Sequence, residues 1–161
     1  MRGIYDCFGY GVGYDVSFQE RYKLIKNAGF DCVMLWWSDK FGRGNGYQED
    51  VHFARNAGLF VENIHTPVHE QNYLSLDNLD GDSVFQTYKQ CVMDCYKYNI
   101  STMVIHLPND ENPINKLGTK RLANIISVAE ERNIQVAFEN LNNIYYSYKN
   151  IFLNFQKREN C

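Results

Sequence analysis

Five short apolar runs, each followed by a stretch with helical periodicity, constrain this 161-residue chain more than any other feature. The runs are Ile4–Phe8, Phe30–Trp36, Leu59–His65, Thr102–His106 and Ile134–Glu139. They are rich in β-branched and aromatic residues and lack strict polar alternation, as expected of strands covered on both faces. The helices between them have local signals. Ser17-Phe18-Gln19-Glu20 reads as a capping box, and Gly29 stops the helix it starts. Tyr47–Ala57 reads as a second helix, closed by Gly58. Asp82 or Ser83 caps a third, with Phe85, Tyr88, Val92 and Cys95 on one stripe. A fourth starts near Pro113 behind Asn112 and turns Ile114, Leu117, Leu122, Ile125 and Ala129 inward. A fifth covers Ile144–Lys157. The order βαβαβαβαβα implies right-handed parallel crossovers and an α/β fold.

Two architectures accept that order. A doubly wound sheet is complete with five strands. A (β/α)₈ barrel takes about 250 residues, roughly 31 per unit, so 161 residues hold about five parallel βα units of it. Periodicity does not choose between them. The doubly wound form should carry a phosphate loop after its first strand, and the candidate is Gly9-Tyr10-Gly11-Val12-Gly13. It lacks a third glycine at the required offset, and no acidic residue closes the second strand. These glycines read better as a turn than as a dinucleotide cradle.

Three of the apolar runs end on a residue that can do chemistry: His65, His106 and Glu139. Each is followed by a turn or helix-start signal, Thr66-Pro67, Leu107-Pro108-Asn109 and Asn140-Leu141-Asn142. Ligands of parallel α/β folds bind outside the carboxyl ends of the strands, where side chains converge. The bland alternatives are a helix-capping Glu139 and a core-packed His106. Trp36 and Trp37 close the second run; one could stack on the apolar face of a sugar ring, but core or helix packing explains at least one of them. His65 and His69 are four apart, but Pro67 between them argues against a zinc pair on one helical face. The connection from His65 to about Gly81 is long for a βα loop, as lids or disordered segments are.

With 45% hydrophobic and 22% charged residues, the composition is that of a soluble single domain. No stretch reaches the length of a membrane span, and the start has no signal-peptide character. Five cysteines without a C-x-x-C pair read as reduced thiols of a cytoplasmic protein. A net charge of −3 gives no reason to expect nucleic acid as a partner.

On these residues the chain resembles the xylose isomerase-like TIM-barrel superfamily, which includes sugar phosphate isomerases/epimerases and endonuclease IV-like AP endonucleases. The resemblance rests on Ala28–Trp37, Asn63-Ile64-His65-Thr66-Pro67, Met103-Val104-Ile105-His106 and Ala137-Phe138-Glu139-Asn140-Leu141. It implies a divalent metal (Mn²⁺, Mg²⁺, Co²⁺ or Zn²⁺) at the barrel mouth, with Glu139 as ligand and catalytic carboxylate. His65 and His106 match positions that line the substrate pocket in the isomerase branch and can bind metal in the endonuclease branch. Trp36 and Asn140 are further candidates for contact with a sugar or polyol. The family's proton transfer runs through an enediolate. Its remaining ligands, an Asp, a His and a further Glu from strands six to eight, would lie beyond Cys161. Residues 1–161 are therefore expected to form one domain, a barrel lacking strands six to eight, inactive alone. Its bare sheet edges would invite pairing into a homodimer. The rival readings are an endonuclease, a non-catalytic fragment or oligomerising module, and a doubly wound nucleotide-binding domain.

Overall fold

A computed structural model describes residues 1–6, 16–39, 44–67, 70–108 and 113–139, leaving aside the side chains of residues 44 and 45. Its strands are β1 (Gly3–Tyr5), β2 (Cys32–Trp36), β3 (Phe60–His65), β4 (Thr102–His106) and β5 (Gln135–Glu139). Helices α1 (Phe18–Asn27), α2 (Asp50–Asn56), α3 (Leu79–Tyr98) and α4 (Lys116–Glu130) alternate with them. The expected fifth helix, the glycine-rich loop, His69 and Asn140 lie outside the described residues.

All strand pairs are parallel, and the sheet order is β1-β2-β3-β4-β5. This order overturns the doubly wound alternative. A doubly wound sheet reverses its direction of growth at a switch point, whereas here each strand is added on the same side. Right-handed crossovers then place every helix on one face of the sheet, the arrangement that curls a sheet into a barrel. The core lies on that helical face. Val33, Leu35, Val61, Ile64, Met103 and Ile105 pack there against Tyr22, Ile25, Val51, Tyr88, Val92, Leu122 and Ile125. Leu35, Ile64 and Ile105 are fully buried, each contributing about 2–3 kcal/mol by removal from water.

Helix α1 starts as its capping box predicts: Ser17 Oγ accepts from Glu20 N, and Gly29 follows the helix with a φ of 86°. Two other starts differ from expectation. Asn78, not Asp82 or Ser83, caps α3 through its Oδ1, which accepts from Gly81 N at 3.0 Å. Asn115, not Asn112, caps α4 through Gly118 N at 2.9 Å. Gly81 reads as a loop residue in sequence, but it belongs to the first turn of α3 for a tertiary reason. A Cβ there would strike the Leu76 carbonyl and lie 2.6 Å from Arg121 Nη1. Tyr47, expected in the second α-helix, lies in a 3₁₀ turn over Gly44–Glu49 that precedes α2.

The connection after His65 is firmly fastened where it is described. Its Gln71–Ser75 segment is a 3₁₀ turn. Arg121 of α4 donates to Leu74 O and Leu76 O at 2.9 and 2.6 Å and pairs with Asp82. Asn115 donates to Ser75 O at 2.8 Å.

Candidate metal centre

A strand exposes alternate residues to opposite faces, and in β3 that rule is broken once. Val33 pairs with Val61, but the next residue of β2, Met34, pairs with Asn63. Glu62 is the extra residue of a bulge, which shifts the alternation by one. Val61 and Ile64 both join the helical core, and His65 therefore faces the other side with Trp36. Uninterrupted alternation from Val61 would have turned the His65 side chain into the helix layer.

On the inner face, at the carboxyl ends of β3, β4 and β5, three donors converge. His65 Nε2 and His106 Nε2 lie 2.9 and 3.1 Å from the same oxygen, Glu139 Oε2. The two imidazoles meet edge to face at a centroid distance of 4.6 Å. Both are buried, while the Glu139 side chain is 45% exposed. His65 Nδ1 donates to Thr66 O at 3.0 Å, which fixes the ring's orientation. Trp36 stacks on His65 at 4.8 Å with only 7° between the planes. Tyr5, at the end of β1, meets the same imidazole edge on at 5.8 Å.

The electrostatics favour an ionised Glu139 and an unprotonated His106, two of the three donors a cation would need. The hydrogen bond from His106 holds Glu139's carboxyl below its ordinary range; His65 adds to this, and partial burial opposes it. Burial pushes the His106 imidazole down, against the raising influence of Glu139. An anionic carboxylate beside a neutral imidazole is the result.

The residues fit a divalent cation. The 2.9 and 3.1 Å separations are near the roughly 3 Å between adjacent donors bonded at about 2.1 Å to one ion. The ligand atoms, all within 4.8 Å of one another, would draw together by roughly half an ångström for one ion to reach all three. Two imidazole nitrogens and one carboxylate suit borderline ions such as Zn²⁺ and Co²⁺ better than Mg²⁺, which prefers an all-oxygen shell. Among the described residues, His106 Nδ1 is buried without a hydrogen-bond partner, whereas His65 Nδ1 has Thr66 O.

No protein-family model matches the chain, and no curated protein matches it. Solved structures do. A D-psicose 3-epimerase from Clostridium cellulolyticum H10, solved with D-tagatose, superposes with a TM-score of 0.66 at 18% identity, over 98% of this chain and 59% of the other. A xylose isomerase-like TIM barrel protein from Mycobacterium smegmatis, in complex with magnesium, gives 0.61 at 12% identity, over 89% and 54%. An AP endonuclease, family 2, from Brucella melitensis gives 0.61 at 14%, over 92% and 57%. The fold is that of the xylose isomerase-like TIM barrels. The chain spans less than three-fifths of the length of each of these three structures.

Within this fold, His65, His106, Glu139 and Trp36 of the expected site come together, while Trp37 does not. Its indole points into the helix layer and donates to the buried Asp94 at 2.8 Å. Sequence reasoning missed Tyr5 and Asp6. Asp6 is buried at the end of β1 and accepts from Trp36 N at 3.2 Å. The signal lies in the sequence, since Tyr5 and Asp6 close a short apolar run as His65 does, but the apolar residues continue to Phe8 and hide the end of β1 at Tyr5.

Proposed function

We propose that these five βα units form the metal-holding wall of a sugar or sugar-phosphate isomerase/epimerase site. The reading is carried by one observation: two imidazole nitrogens from β3 and β4 converge on a single carboxylate oxygen from β5, beside an aromatic plate. A bound divalent ion would polarise a carbonyl or hydroxyl of an open-chain sugar. His65 and His106 hold their Nε2 atoms toward Glu139, and Thr66 O keeps the His65 tautomer fixed. Glu139 has one oxygen committed to the imidazoles and a carboxyl open to solvent. It serves as ligand and as the base that takes a proton from the carbon next to the carbonyl, leaving an enediolate. Trp36 presents its half-exposed indole to the apolar face of the sugar, and Asn140, next in sequence, orients a substrate oxygen. Five cysteines without a C-x-x-C pair support a cytoplasmic location.

The test is cobalt titration of the purified chain followed by its d–d absorption. One Co²⁺ should bind per chain, Zn²⁺ should compete and Mg²⁺ should compete poorly. Glu139→Ala and His106→Ala should each weaken binding at least tenfold; equal affinity in both variants would defeat the assignment. These 161 residues alone, with Mn²⁺, Mg²⁺ or Co²⁺, should show no sugar isomerisation above background, since three donors leave much of an octahedral shell unfilled. Turnover abolished by Glu139→Ala would contradict this.

One observation favours a second reading. Both histidines aim at the carboxylate rather than merely lining a pocket, the role they have in the endonuclease branch. The net charge of −3 opposes it. A DNA duplex with an abasic site separates the two: an endonuclease binds it with an affinity that falls steeply with salt, and an isomerase does not.

A further inference from the structure

The backbone ladder between β1 and β2 stops at Tyr5 and Met34. One more rung is backbone to backbone, Asp6 N donating to Met34 O at 3.1 Å. The next is supplied by a side chain: Trp36 N donates to Asp6 Oδ1 at 3.2 Å. Asp6 is 3% exposed, and its other oxygen accepts from the Tyr22 hydroxyl at 3.3 Å. A buried carboxylate at a strand end is costly unless it is hydrogen-bonded, and here its bonds tie the tip of β1 to the start of the Trp36 residue. The indole of Trp36 is tied down at its far end as well, where Nε1 donates to Ser38 Oγ at 2.5 Å. The plate that lies on His65 is thus fixed at both ends.

We infer that Asp6 is a positioning residue of the metal centre, acting through Trp36 on the imidazole of His65. This rests on the metal reading of the site. Two constraints set the direction of the His65 Nε2 lone pair. Thr66 O holds Nδ1 within the ring plane, and the Trp36 face, 7° from parallel, sets the tilt of that plane. Removing the first would free the tautomer; removing Asp6 would free the tilt. Metal-binding histidines depend on such outer contacts, whose loss weakens affinity about 10- to 100-fold.

The experiment compares Asp6→Ala, Asp6→Asn and Tyr22→Phe in the 161-residue chain. Metal-free Trp36 emission is obtained by subtracting the spectrum of Trp36→Phe, since the chain has only two tryptophans. Co²⁺ affinity is measured in parallel. Asp6→Ala should alter the intensity and acrylamide accessibility of Trp36 and weaken Co²⁺ at least tenfold. Asp6→Asn keeps an oxygen for Trp36 N and should restore both readouts to within about twofold. Tyr22→Phe, which removes the bond to the Asp6 oxygen remote from Trp36, should lower thermal stability and leave both readouts alone. Unchanged Trp36 emission and affinity in Asp6→Ala would overturn the inference. A large loss of Co²⁺ in Asp6→Asn would also overturn it, because charge rather than position would then be at work. Should Asp6→Ala not fold, Asp6→Ser, whose shorter side chain keeps a polar group but does not reach Trp36 N, takes its place with the same expectations. If the wild-type chain binds no Co²⁺, the metal reading falls, while the emission arm still decides whether Asp6 sets the Trp36–His65 stack.

Discussion

Both ring nitrogens of His65 face oxygen. Thr66 O has no proton to give, so Nδ1 must donate to it, and Nε2 is left 2.9 Å from Glu139 Oε2. A bare lone pair there would face a carboxylate, so without a cation a proton must sit between the two. Metal binding should therefore release about one proton per ion. Calorimetric titration of Zn²⁺ in buffers of different ionisation enthalpy should show it as a slope near one; a slope of zero would mean that no proton is displaced. His106 makes the fold's stability depend on pH. Burial lowers it from its ordinary value of 6.5, so the unfolded chain binds its proton more readily. The stability this confers is fully present above about pH 6.5, and it is lost as pH falls through the lowered folded value. Glu139, lowered from 4.5 by His106 foremost, adds a second loss at more acid pH. Urea midpoints between pH 8 and 4 should fall with acidification, and His106→Gln should flatten the first part of that decline.

At the scale of elements, the start of α3 and the start of α4 are built around one buried cation. Arg121, 6% exposed, bonds two carbonyls of the turn after β3 and the Asp82 carboxylate. Gly81 makes room for it, and Gly118 makes room for Ser75 Oγ, which a Cβ would approach at 2.6 Å. Alanine normally gains about 1 kcal/mol over glycine in a helix. At Gly81 the collision with the Leu76 carbonyl reverses the sign: Gly81→Ala should destabilise by about 1–3 kcal/mol, read from the denaturant midpoint. A stabilised variant would mean that the knot yields easily. The clash is invisible in sequence, where Asp-Gly-Asp resembles a loop. The bulge in β3 is equally hidden, because Phe-Val-Glu-Asn-Ile-His has no local mark of where alternation breaks. Caps and glycine stops at short range, as in α1, were legible because both partners lie within one turn.

For the whole molecule, the sheet is uneven. The helix-facing residues of β2, β3 and β4 are buried, whereas Val136 and Phe138 of β5 are only partly so, and Gln135, Ala137 and Glu139 on its other face are exposed. Among the described residues β5 pairs on one side only, with β4. Unpaired, partly apolar edges associate. These 161 residues should form dimers that light scattering detects at micromolar concentration. Ala137→Lys, placing a charge on the exposed strand, should shift them toward monomer. A wild-type chain that stays monomeric at high concentration would argue against edge pairing.

The sequence by itself determined five strands with helices between them and the residues that end β2 to β5, because hydrophobic period, caps and glycine stops act over a few residues. From the tip residues it also marked His65, His106 and Glu139. Only the tertiary structure decided that the strands run in one unreversed order, that a bulge turns His65 to the inner face, and that both imidazoles reach one carboxylate oxygen with Tyr5, Asp6 and Trp36 behind them. Those outcomes depend on pairing between residues 30 to 74 positions apart. Strand order, register and side-chain convergence are set by the packing of the whole sheet, and no local pattern records them.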